Sequence, residues 1–439
     1  MDTSNFSLDT LTSLLKRRGF IYQGSEIYGG LAGTWDYGPM GVLLKKNIQD
    51  LWWRRFVLGR EDMYGVDSAI LMNSKIWEAS GHAKGFADPL VECKKCHSQY
   101  RADVIGYSAG NPPLCESCGK KEWVEPQMFN MMFQTHIGAS KDSSAISYLR
   151  PETAQGMFVN FKNIIDSFHP KVPFGIAQIG KAFRNEIAPR DFIFRAREFE
   201  QMEIEYFVRE KEWEKWFLYW RDQMHVWMKD IGILREHIKE EEISKEDRAH
   251  YSKRTIDFNY KFPFGMKELY GLAYRTDYDL TQHQNAAGVD LRYNDSETNE
   301  KFIPHVIEPT FGLDRTILAV LLEAYDEEDV EGEKRAVLRL PKNIAPVQIA
   351  ILPLSKKEEL MNGTREIFDT LRKKYSCQYD ETQSIGKRYR RQDEIGTPFC
   401  ITYDFDSIND KQVTVRERDS MKQERIAISE LSAYFAKQF

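Results

Sequence analysis

Apolar and charged residues alternate over the stretch from Gly180 to Phe207, and this pattern predicts two β-strands. The turn signal Pro189-Arg190-Asp191 separates the first strand, which ends in Phe183-Arg184-Asn185-Glu186, from the second, which begins at Phe192. Successive side chains of a strand alternate between two faces, so the charges on one face keep fixed positions. The pair is therefore either an exposed hairpin joined by cross-strand ion pairs or one wall of a binding site.

Helical spacing of apolar residues predicts helices in residues 4–18, in Val42–Val57 and in the segment 209–262. In the third segment the large apolar residues that recur at this spacing are Trp213, Trp216, Phe217, Trp220, Met224 and Trp227. We interpret this row as a buried helix face rather than a base-stacking surface, and the whole segment 209–262 as helical. The charged residues between Glu240 and Arg248 predict a solvated tip.

Strands and helices alternate from about Ala345, which predicts a separate α/β domain over residues 345–439. Its predicted elements are strands at Val347–Pro353, Phe399–Phe405 and Gln412–Arg418, a helix at Lys356–Tyr375 and a last helix that ends at Phe439. The acidic stretch Asp326–Glu333, just before this domain, predicts a loop. Residues 1–344 then form a second, larger domain.

Length and composition fit a globular protein, because 439 residues of which 42% are apolar can bury a large core. We find no N-terminal export signal and no apolar run near 18 residues, so the expected location is the cytoplasm, away from membranes. A net charge of −6 argues against a protein coated in nucleic acid, although it permits a local basic face.

Four of the six cysteines form two pairs, Cys93-x-x-Cys96 and Cys115-x-x-Cys118, which are 18 residues apart. This spacing is typical of a tetrahedral Cys₄ zinc site. The surrounding segment 88–126 is too short to build a core of its own, so a structural zinc ion would hold it together. Four reduced cysteines without a metal are the alternative.

Three further segments carry candidate chemistry. Residues 147–156 predict a strand that ends at a proline and a helix with Glu152 in its first turn. Residues 303–315 predict an apolar strand, a glycine turn and a helix that runs to about Ala324. The segment 386–398 holds four cations and an aromatic residue, which suit RNA phosphates and a base unless the run is merely solvated: Lys387, Arg388, Tyr389, Arg390 and Arg391.

The spacing Phe183-Arg184-x-Glu186, then Arg195-x-x-x-Phe199-x-x-x-Glu203, resembles motif 2 of the class II aminoacyl-tRNA synthetases. The flanking segments resemble the glycyl-tRNA synthetase family in particular. Residues 37–71 resemble motif 1, residues 150–156 (RPETAQG) a segment whose glutamate faces the amino acid, and residues 303–315 motif 3.

The resemblance implies an α+β catalytic domain, residues 1–344, built on a mixed and mainly antiparallel sheet. It also implies a zinc-binding insertion at 88–126, a helical insertion at 209–262 and a C-terminal α/β anticodon-binding domain at 345–439. A ligase of this family uses ATP and Mg²⁺ to join glycine to tRNA-Gly, and it works as a homodimer. Two alternatives stay open: a prolyl- or threonyl-tRNA ligase of the same subgroup, and a non-catalytic synthetase-like subunit that binds nucleic acid.

The resemblance also assigns residues to roles. Arg184, Glu186 and Arg315 are the expected catalytic residues, and Glu268 helps to hold Mg²⁺. The expected ATP-binding residues are Arg184, Asn185, Glu186, Phe194, Arg195, Phe199, Glu268, Leu269, Gly312 and Arg315. The expected glycine-binding residues are Arg101, Glu152, Glu203, Glu308 and Thr310, where the family usually has serine in place of Thr310. The expected tRNA contacts are Lys387, Arg388, Arg390 and Arg391, and the expected zinc ligands are Cys93, Cys96, Cys115 and Cys118.

Overall fold

A computed structural model describes residues 7–139, 145–330 and 332–439 of the chain. The α-helices in these ranges are α1 (Leu8–Arg17), α2 (Pro39–Trp53), α3 (Ser74–Ala79), α4 (His82–Gly85), α5 (Ala154–Phe168), α6 (Trp213–Asp230), α7 (Tyr278–Ala287), α8 (Leu313–Ala324), α9 (Glu358–Leu371), α10 (Ile385–Ile395), α11 (Phe405–Asp410) and α12 (Leu431–Phe435). The first six residues, where the predicted first helix was to begin, lie outside the described ranges.

The strands of the larger, N-terminal part are β1 (Ile21–Gln23), β2 (Trp35–Tyr37), β3 (Met63–Gly65), β4 (Ala87–Glu92), β5 (Gln99–Arg101), β6 (Gln127–Asn130), β7 (Gln134–His136), β8 (Ile146–Tyr148), β9 (Phe174–Phe183), β10 (Glu198–Val208), β11 (Ile238–Glu242), β12 (Arg254–Phe262), β13 (Gly265–Thr276), β14 (Tyr293–Asn294), β15 (Lys301–Phe302), β16 (His305–Gly312), β17 (Tyr325–Val330) and β18 (Glu333–Leu338). The C-terminal part holds β19 (Ile349–Pro353), β20 (Cys377–Tyr379), β21 (Phe399–Tyr403), β22 (Gln412–Glu417) and β23 (Gln423–Ala427).

A seven-stranded sheet in the order β11-β12-β13-β16-β10-β9-β3 forms the centre of the N-terminal part. All neighbours in it pair antiparallel except β3 and β9, which are parallel. This arrangement confirms the predicted mixed, mainly antiparallel sheet.

The residues of β10 alternate between the two faces of the sheet. Met202, Ile204 and Tyr206 point into the main hydrophobic core, whereas Phe207 joins a second cluster with α5. Helices α2, α6 and α8 contribute to the main core on one face, and α5 and α7 pack at the second cluster. The odd-numbered residues between Phe199 and Phe207 therefore lie on the face away from the main core.

The predicted helix at Val42–Val57 is largely confirmed, because α2 continues into a π-helical turn at Arg54–Leu58. The prediction for segment 209–262 is right only in part. Helix α6 buries the expected aromatic face, but β11 and β12 are strands of the central sheet. In β12 the apolar residues Ile256, Phe258, Tyr260 and Phe262 are buried at every second position, which is the period of a strand.

Two other local predictions were wrong. The acidic stretch after α8 is not a loop: β17 pairs antiparallel with β18, and the pairing places Glu328 opposite Arg335. Opposite charges across a strand pair offset the repulsion within the acidic run. In the Gly180 to Phe207 stretch, β9 ends at Phe183 and β10 begins only at Glu198, so Arg184 and Arg195 lie in the connecting segment.

The C-terminal part contains a five-stranded sheet in the order β20-β19-β21-β22-β23. Its core is separate from that of the N-terminal part, and α9 packs against β19. The predicted α/β domain is therefore confirmed, and the basic segment 386–398 is largely helix α10. None of the helices in the described ranges is long and apolar enough to cross a membrane.

Candidate active site

A cavity of about 310 Å³ opens on the face of the central sheet away from the main core. It lies beside β10, β13 and β16, and the segment between β9 and β10 closes one side. Thirteen of the predicted site residues line it: Glu152, Arg184, Glu186, Phe194, Arg195, Phe199, Glu203, Glu268, Leu269, Glu308, Thr310, Gly312 and Arg315. Its volume suits a small-molecule ligand.

One end of the cavity is acidic because of strand register. Glu203 on β10 lies directly opposite Thr310 on β16, and Glu308 is two residues from Thr310 on the same face. The Thr310 hydroxyl lies 2.9 Å from Oε1 of Glu203 and 2.8 Å from Oε1 of Glu308. Across β13, Gly271 faces Thr310, and a residue without a side chain there leaves this end of the cavity open.

The carboxyl groups of this end do not titrate like exposed ones. Burial, and then the neighbouring Glu308 and Glu152, raise the pKa of Glu203 to about 8. Burial also raises the pKa of Glu308. A hydroxyl has one proton, so Thr310 can donate to one of the two carboxyl groups while a protonated Glu203 donates to it in turn.

Glu152 remains ionised in the same environment. Burial alone would raise its pKa, but His82 and Arg275 lower it well below its ordinary value. The His82 Nε2 lies 3.2 Å from Oε2 of Glu152, and Gln155 donates to Oε1 over 3.0 Å. Glu152 stands two residues before α5, so the prediction that it lies in the first turn of that helix is wrong.

Arg275 anchors this acidic end and was missed in the sequence. It donates twice to Asp279, each over 2.8 Å, and it also pairs with Glu308, while its side chain is 1% exposed. The pKa of Arg275 is raised well above its usual value because the carboxylates of Asp279 and Glu308 outweigh its burial. The sequence does contain an indication that Arg275 is special, because it is a single charged residue that directly follows the apolar run Leu272-Ala273-Tyr274 of a strand.

The other end of the cavity carries cations and aromatic rings. The guanidinium of Arg184 lies 5.2 Å from the Phe199 ring and 5.3 Å from the Phe86 ring, and its Nε donates to the Pro151 carbonyl over 3.1 Å. Arg315 lies 4.5 Å from the Phe194 ring, and its Nη1 is 3.2 Å from Oε2 of Glu268. Both guanidinium groups are thus held in fixed orientations.

An acidic group beside this cationic end was also missed. Asp257 on β12 lines the cavity, and burial, then Glu268 and Glu241, raise its pKa to about 7. Carboxylates that share a small space repel one another, so one carboxyl group keeps its proton until a cation binds. Carboxylate oxygens are the ligands that Mg²⁺ prefers, so Asp257 and Glu268 fit a magnesium ion bound together with phosphate.

Two predicted contacts are not at the cavity. Arg101 does not line it and instead pairs with Asp88 and Asp103, each over 2.7 Å. Asn185 also does not line it, and its backbone N–H donates to the Met131 carbonyl over 2.7 Å. Asn185 stands between two lining residues, Arg184 and Glu186, whereas Arg101 has no lining residue beside it in sequence.

Arg388 is a correction to the predicted set of RNA contacts. It is 2% exposed, and its guanidinium donates to the carbonyls of Pro353, Thr382 and Gln383. Because α10 is a helix, Arg388 lies on its inner face, whereas Lys387 is exposed. Arg391 binds Asp380, and Arg390 is half-buried, 3.8 Å from Glu333.

The predicted solvated tip between β11 and β12 is exposed as expected, since Ser244, Lys245, Glu246 and Asp247 are exposed and Arg248 is half-buried. The prediction missed that this segment also reaches the cavity, which Asp247, Arg248, Ala249 and Tyr251 line. A charged run beside a turn does not reveal from sequence that the chain folds back over a neighbouring sheet.

The four cysteines of the 88–126 segment come together as predicted. Their sulfur atoms lie within 4.8 Å of one another, with 3.6 Å between Cys93 and Cys118 and 3.6 Å between Cys96 and Cys115. Four sulfurs at such distances match a tetrahedral ion with bonds of about 2.3 Å. His97 lies outside the cluster and pairs with Glu92. The donor set is therefore compatible with zinc.

Comparison with known proteins gives the family of the chain. Residues 138–325 match the tRNA synthetase class II core domain (G, H, P, S and T), and residues 348–438 match an anticodon binding domain. The protein named Glycine--tRNA ligase from Acetivibrio thermocellus is 51% identical to this chain, over 99% of this chain and 98% of its own length. The protein of that name from Thermobifida fusca is 50% identical to this chain, over 100% of this chain and 99% of its own length. The protein of the same name from Caldanaerobacter subterraneus subsp. tengcongensis is 50% identical over 98% of this chain and 97% of its own. The chain therefore belongs to the class II aminoacyl-tRNA synthetases and, within that class, to the glycine–tRNA ligase family.

Proposed function

We propose that the protein activates glycine with ATP and transfers it to tRNA-Gly. One observation carries the proposal: three carboxyl side chains, Glu152, Glu203 and Glu308, line one end of a cavity whose other end carries three arginines, Arg184, Arg195 and Arg315. Glycine offers only an ammonium and a carboxylate, so a crowded acidic end suits it. The arginines suit the phosphates of ATP.

The first step is the attack of a glycine carboxylate oxygen on the α-phosphorus of ATP. The bond from that phosphorus to the bridging oxygen breaks, and pyrophosphate leaves with the electron pair. We assign Arg184 to the α-phosphate and the amino-acid carboxylate, where negative charge develops. In the second step a hydroxyl at the 3′ end of tRNA-Gly attacks the glycyl carbonyl carbon, and AMP leaves.

The remaining residues position ATP. Arg195 and Arg315 hold the outer phosphates, Phe199 stacks on adenine and Glu186 accepts from its amino group. Phe194, Leu269 and Gly312 complete the walls of this end. When bound, Mg²⁺ neutralises phosphate charge, and Glu268 and Asp257 would hold it. The rate enhancement comes from positioning and fixed charge, since no side chain acts as a nucleophile.

The rival functions predict different outcomes in one assay. ATP–pyrophosphate exchange is measured with glycine, proline and threonine in turn, on the whole chain with its metal. We expect exchange with glycine alone. Exchange with proline or threonine instead would favour another ligase of the subgroup, and no exchange with any amino acid would favour a non-catalytic nucleic-acid-binding subunit.

The C-terminal domain, which we place at 345–439, is proposed to bind the anticodon stem of the tRNA. Lys387 and Arg390 are the cations of α10 that remain accessible for RNA phosphates, while Arg388 supports the fold. Lys387→Ala with Arg390→Ala is expected to weaken tRNA binding and to leave glycine-dependent exchange unchanged. Loss of exchange in this double variant would contradict the assignment.

We also propose that two copies of the chain associate through the face beside α2. Ile27 and Tyr28 are 89% and 87% exposed, and Leu31, Val42 and Leu43 are further exposed apolar residues at or shortly before the start of α2. Exposed apolar side chains at such density mark an interaction surface. Sedimentation analysis is expected to find a dimer, and Tyr28→Asp to shift it towards monomer.

The Cys₄ cluster is proposed to hold a structural zinc ion, because all four ligand positions are filled by sulfur and none is left for a substrate. The ion would stabilise the segment 88–126, whose apolar cluster is confined to a few residues around Val91 and Trp123.

A further inference from the structure

The segment 243–253 connects β11 to β12, and it is fixed at both ends and in its middle. The backbone N–H of Ile243 donates to the Thr255 carbonyl over 2.9 Å, and that of Lys253 donates to the Tyr274 carbonyl over 2.8 Å. In the middle, Nε2 of His250 lies 3.3 Å from the Ser80 carbonyl. The segment is thus docked onto the chain just before His82, the partner of Glu152.

Tyr251 is the large side chain that this segment places at the acidic end of the cavity. Its ring lies 3.7 Å from the guanidinium carbon of Arg275, and the ring of Phe158 lies 5.2 Å from the same carbon. Arg275 is therefore enclosed by two aromatic rings. Such rings attract a guanidinium group, and the attraction is strongest where water is excluded.

Arg275 links Tyr251 to the carboxyl groups that face the ligand. It pairs with Glu308, whose other oxygen accepts from Thr310, and it lies 3.9 Å from Oε1 of Glu152. Loss of the Tyr251 ring would admit water to Arg275 and loosen the pairing that orients Glu308. Tyr251 is therefore a positioning residue for Arg275 and Glu308.

The ring also limits the space at this end. Gly271 and Ala273 of β13 lie opposite Thr310 and Glu308, so the neighbouring strand places only small side chains beside these two lining residues. Small residues alone would leave room for a methyl or hydroxymethyl group beside the α-carbon of a bound amino acid. A pocket rejects a larger side chain only where rigid atoms occupy that space.

We propose that Tyr251 determines specificity for glycine, by closing the acidic end of the cavity and by holding Arg275 so that Glu308 faces the ligand ammonium. This inference rests on the proposed activation of glycine and adds a residue to it. The aromatic ring of Tyr251 both closes this end of the cavity and contacts Arg275, so the tyrosine hydroxyl is not required.

The test is ATP–pyrophosphate exchange with glycine and with L-alanine, at varied amino acid and varied ATP. Three variants are compared: Tyr251→Ala, Tyr251→Leu and Tyr251→Phe. We expect the alanine and leucine variants to raise the KM for glycine about tenfold or more, with little change in the KM for ATP. They should also improve kcat/KM for L-alanine relative to glycine by about tenfold, which is the scale of one methyl group.

Tyr251→Phe keeps the ring and is expected to retain the preference for glycine over alanine. Phe405→Ala is the matched control, because Phe405 stacks under Lys357 in the C-terminal domain, 4.6 Å from its Nζ, and it should behave as the unmodified protein. Equal changes in the two KM values, or unchanged discrimination in both ring-deleted variants, would overturn the proposal. If the unmodified protein shows no exchange with glycine, the proposed function fails first and this inference with it.

Discussion

Arg335 donates from Nε to Oδ2 of Asp393 over 2.8 Å, and the two side chains are 0% and 1% exposed. The pair joins β18, in the hairpin that follows α8, to helix α10 of the C-terminal domain. Arg416 adds two bonds to the same carboxylate, over 2.9 and 3.1 Å. A buried charge network therefore fixes α10 against the catalytic part of the chain.

Removal of Asp393 leaves Arg335 and Arg416 buried without their shared partner. Asp393→Ala is expected to lower the free energy of unfolding by about 3–5 kcal/mol, the usual cost of breaking a buried ion pair. Urea unfolding followed by circular dichroism and by tryptophan fluorescence measures it.

Asp369→Ala is the control, because Asp369 pairs with Arg372 over 3.0 Å on an exposed surface. Such pairs contribute about 1 kcal/mol or less. Equal effects of the two substitutions would show that the buried network does not stabilise the chain.

Arg184→Ala is expected to lower the rate of glycyl-adenylate formation by about 10²–10³-fold, because one fixed cation is lost where charge develops. The fold should be unaffected, since Arg184 lies at the cavity wall. Single-turnover adenylate formation and a thermal unfolding curve test both statements. Arg190→Ala removes a cation of the same connecting segment, 46% exposed, that does not line the cavity, and activity near that of the unmodified protein is expected.

Spacing within one strand was predictable, and pairing between strands was not. Glu308, Thr310 and Gly312 stand at every second position of β16, so a single strand period brings them to one face. Asp257 and Arg275 reach the site through the register of β12 and β13, which no local pattern encodes. Tyr251 arrives through a segment whose charged composition is typical of a solvated loop.

The basic segment 386–398 shows a different kind of error. Arg388, Gln392 and Ile395 are buried at helical spacing, so the inner face of α10 follows from the sequence once the segment is recognised as a helix. The charge of the segment predicts an RNA contact for Arg388, whereas the helical period places this residue on the inner face. Burial of Arg388 is stable because three carbonyl oxygens accept hydrogen bonds from its guanidinium group.

Glycine binding is expected to release a proton. With a pKa of about 8, the Glu203 carboxyl is largely protonated at neutral pH in the free protein. An ammonium group nearby favours the carboxylate and lowers that pKa, so binding tightens as the pH rises from about 6.5 towards about 8.5. Calorimetry at pH 7 in two buffers of different ionisation enthalpy measures the release. Glu203→Gln should abolish it, and a release that persists in this variant would assign the proton to another group.

Removal of the metal is expected to loosen the segment 88–126 selectively. Cys115→Ser, or treatment with a strong chelator, should reduce bound zinc and expose this segment to limited proteolysis, because its fold depends on the ligand bonds. Elemental analysis and mapping of the cleavage sites give the two readouts. Cys400→Ser, a change at a buried cysteine of the C-terminal sheet, should retain the zinc. Full zinc content in the Cys115 variant would contradict the predicted ligand set.

Thr310 separates the contribution of a hydroxyl from that of a methyl group. Thr310→Val keeps the shape but removes the hydrogen bonds to Glu203 and Glu308, which are 2.9 and 2.8 Å long. A bond to a charged group contributes about 1.5–3 kcal/mol, so we expect the KM for glycine to rise by about tenfold or more in exchange assays. Thr310→Ser keeps the hydroxyl and should retain a KM close to that of the unmodified protein. If the valine variant matches the serine variant, the hydroxyl has no part in orienting the two carboxyl groups, and Arg275 rather than Thr310 orients Glu308.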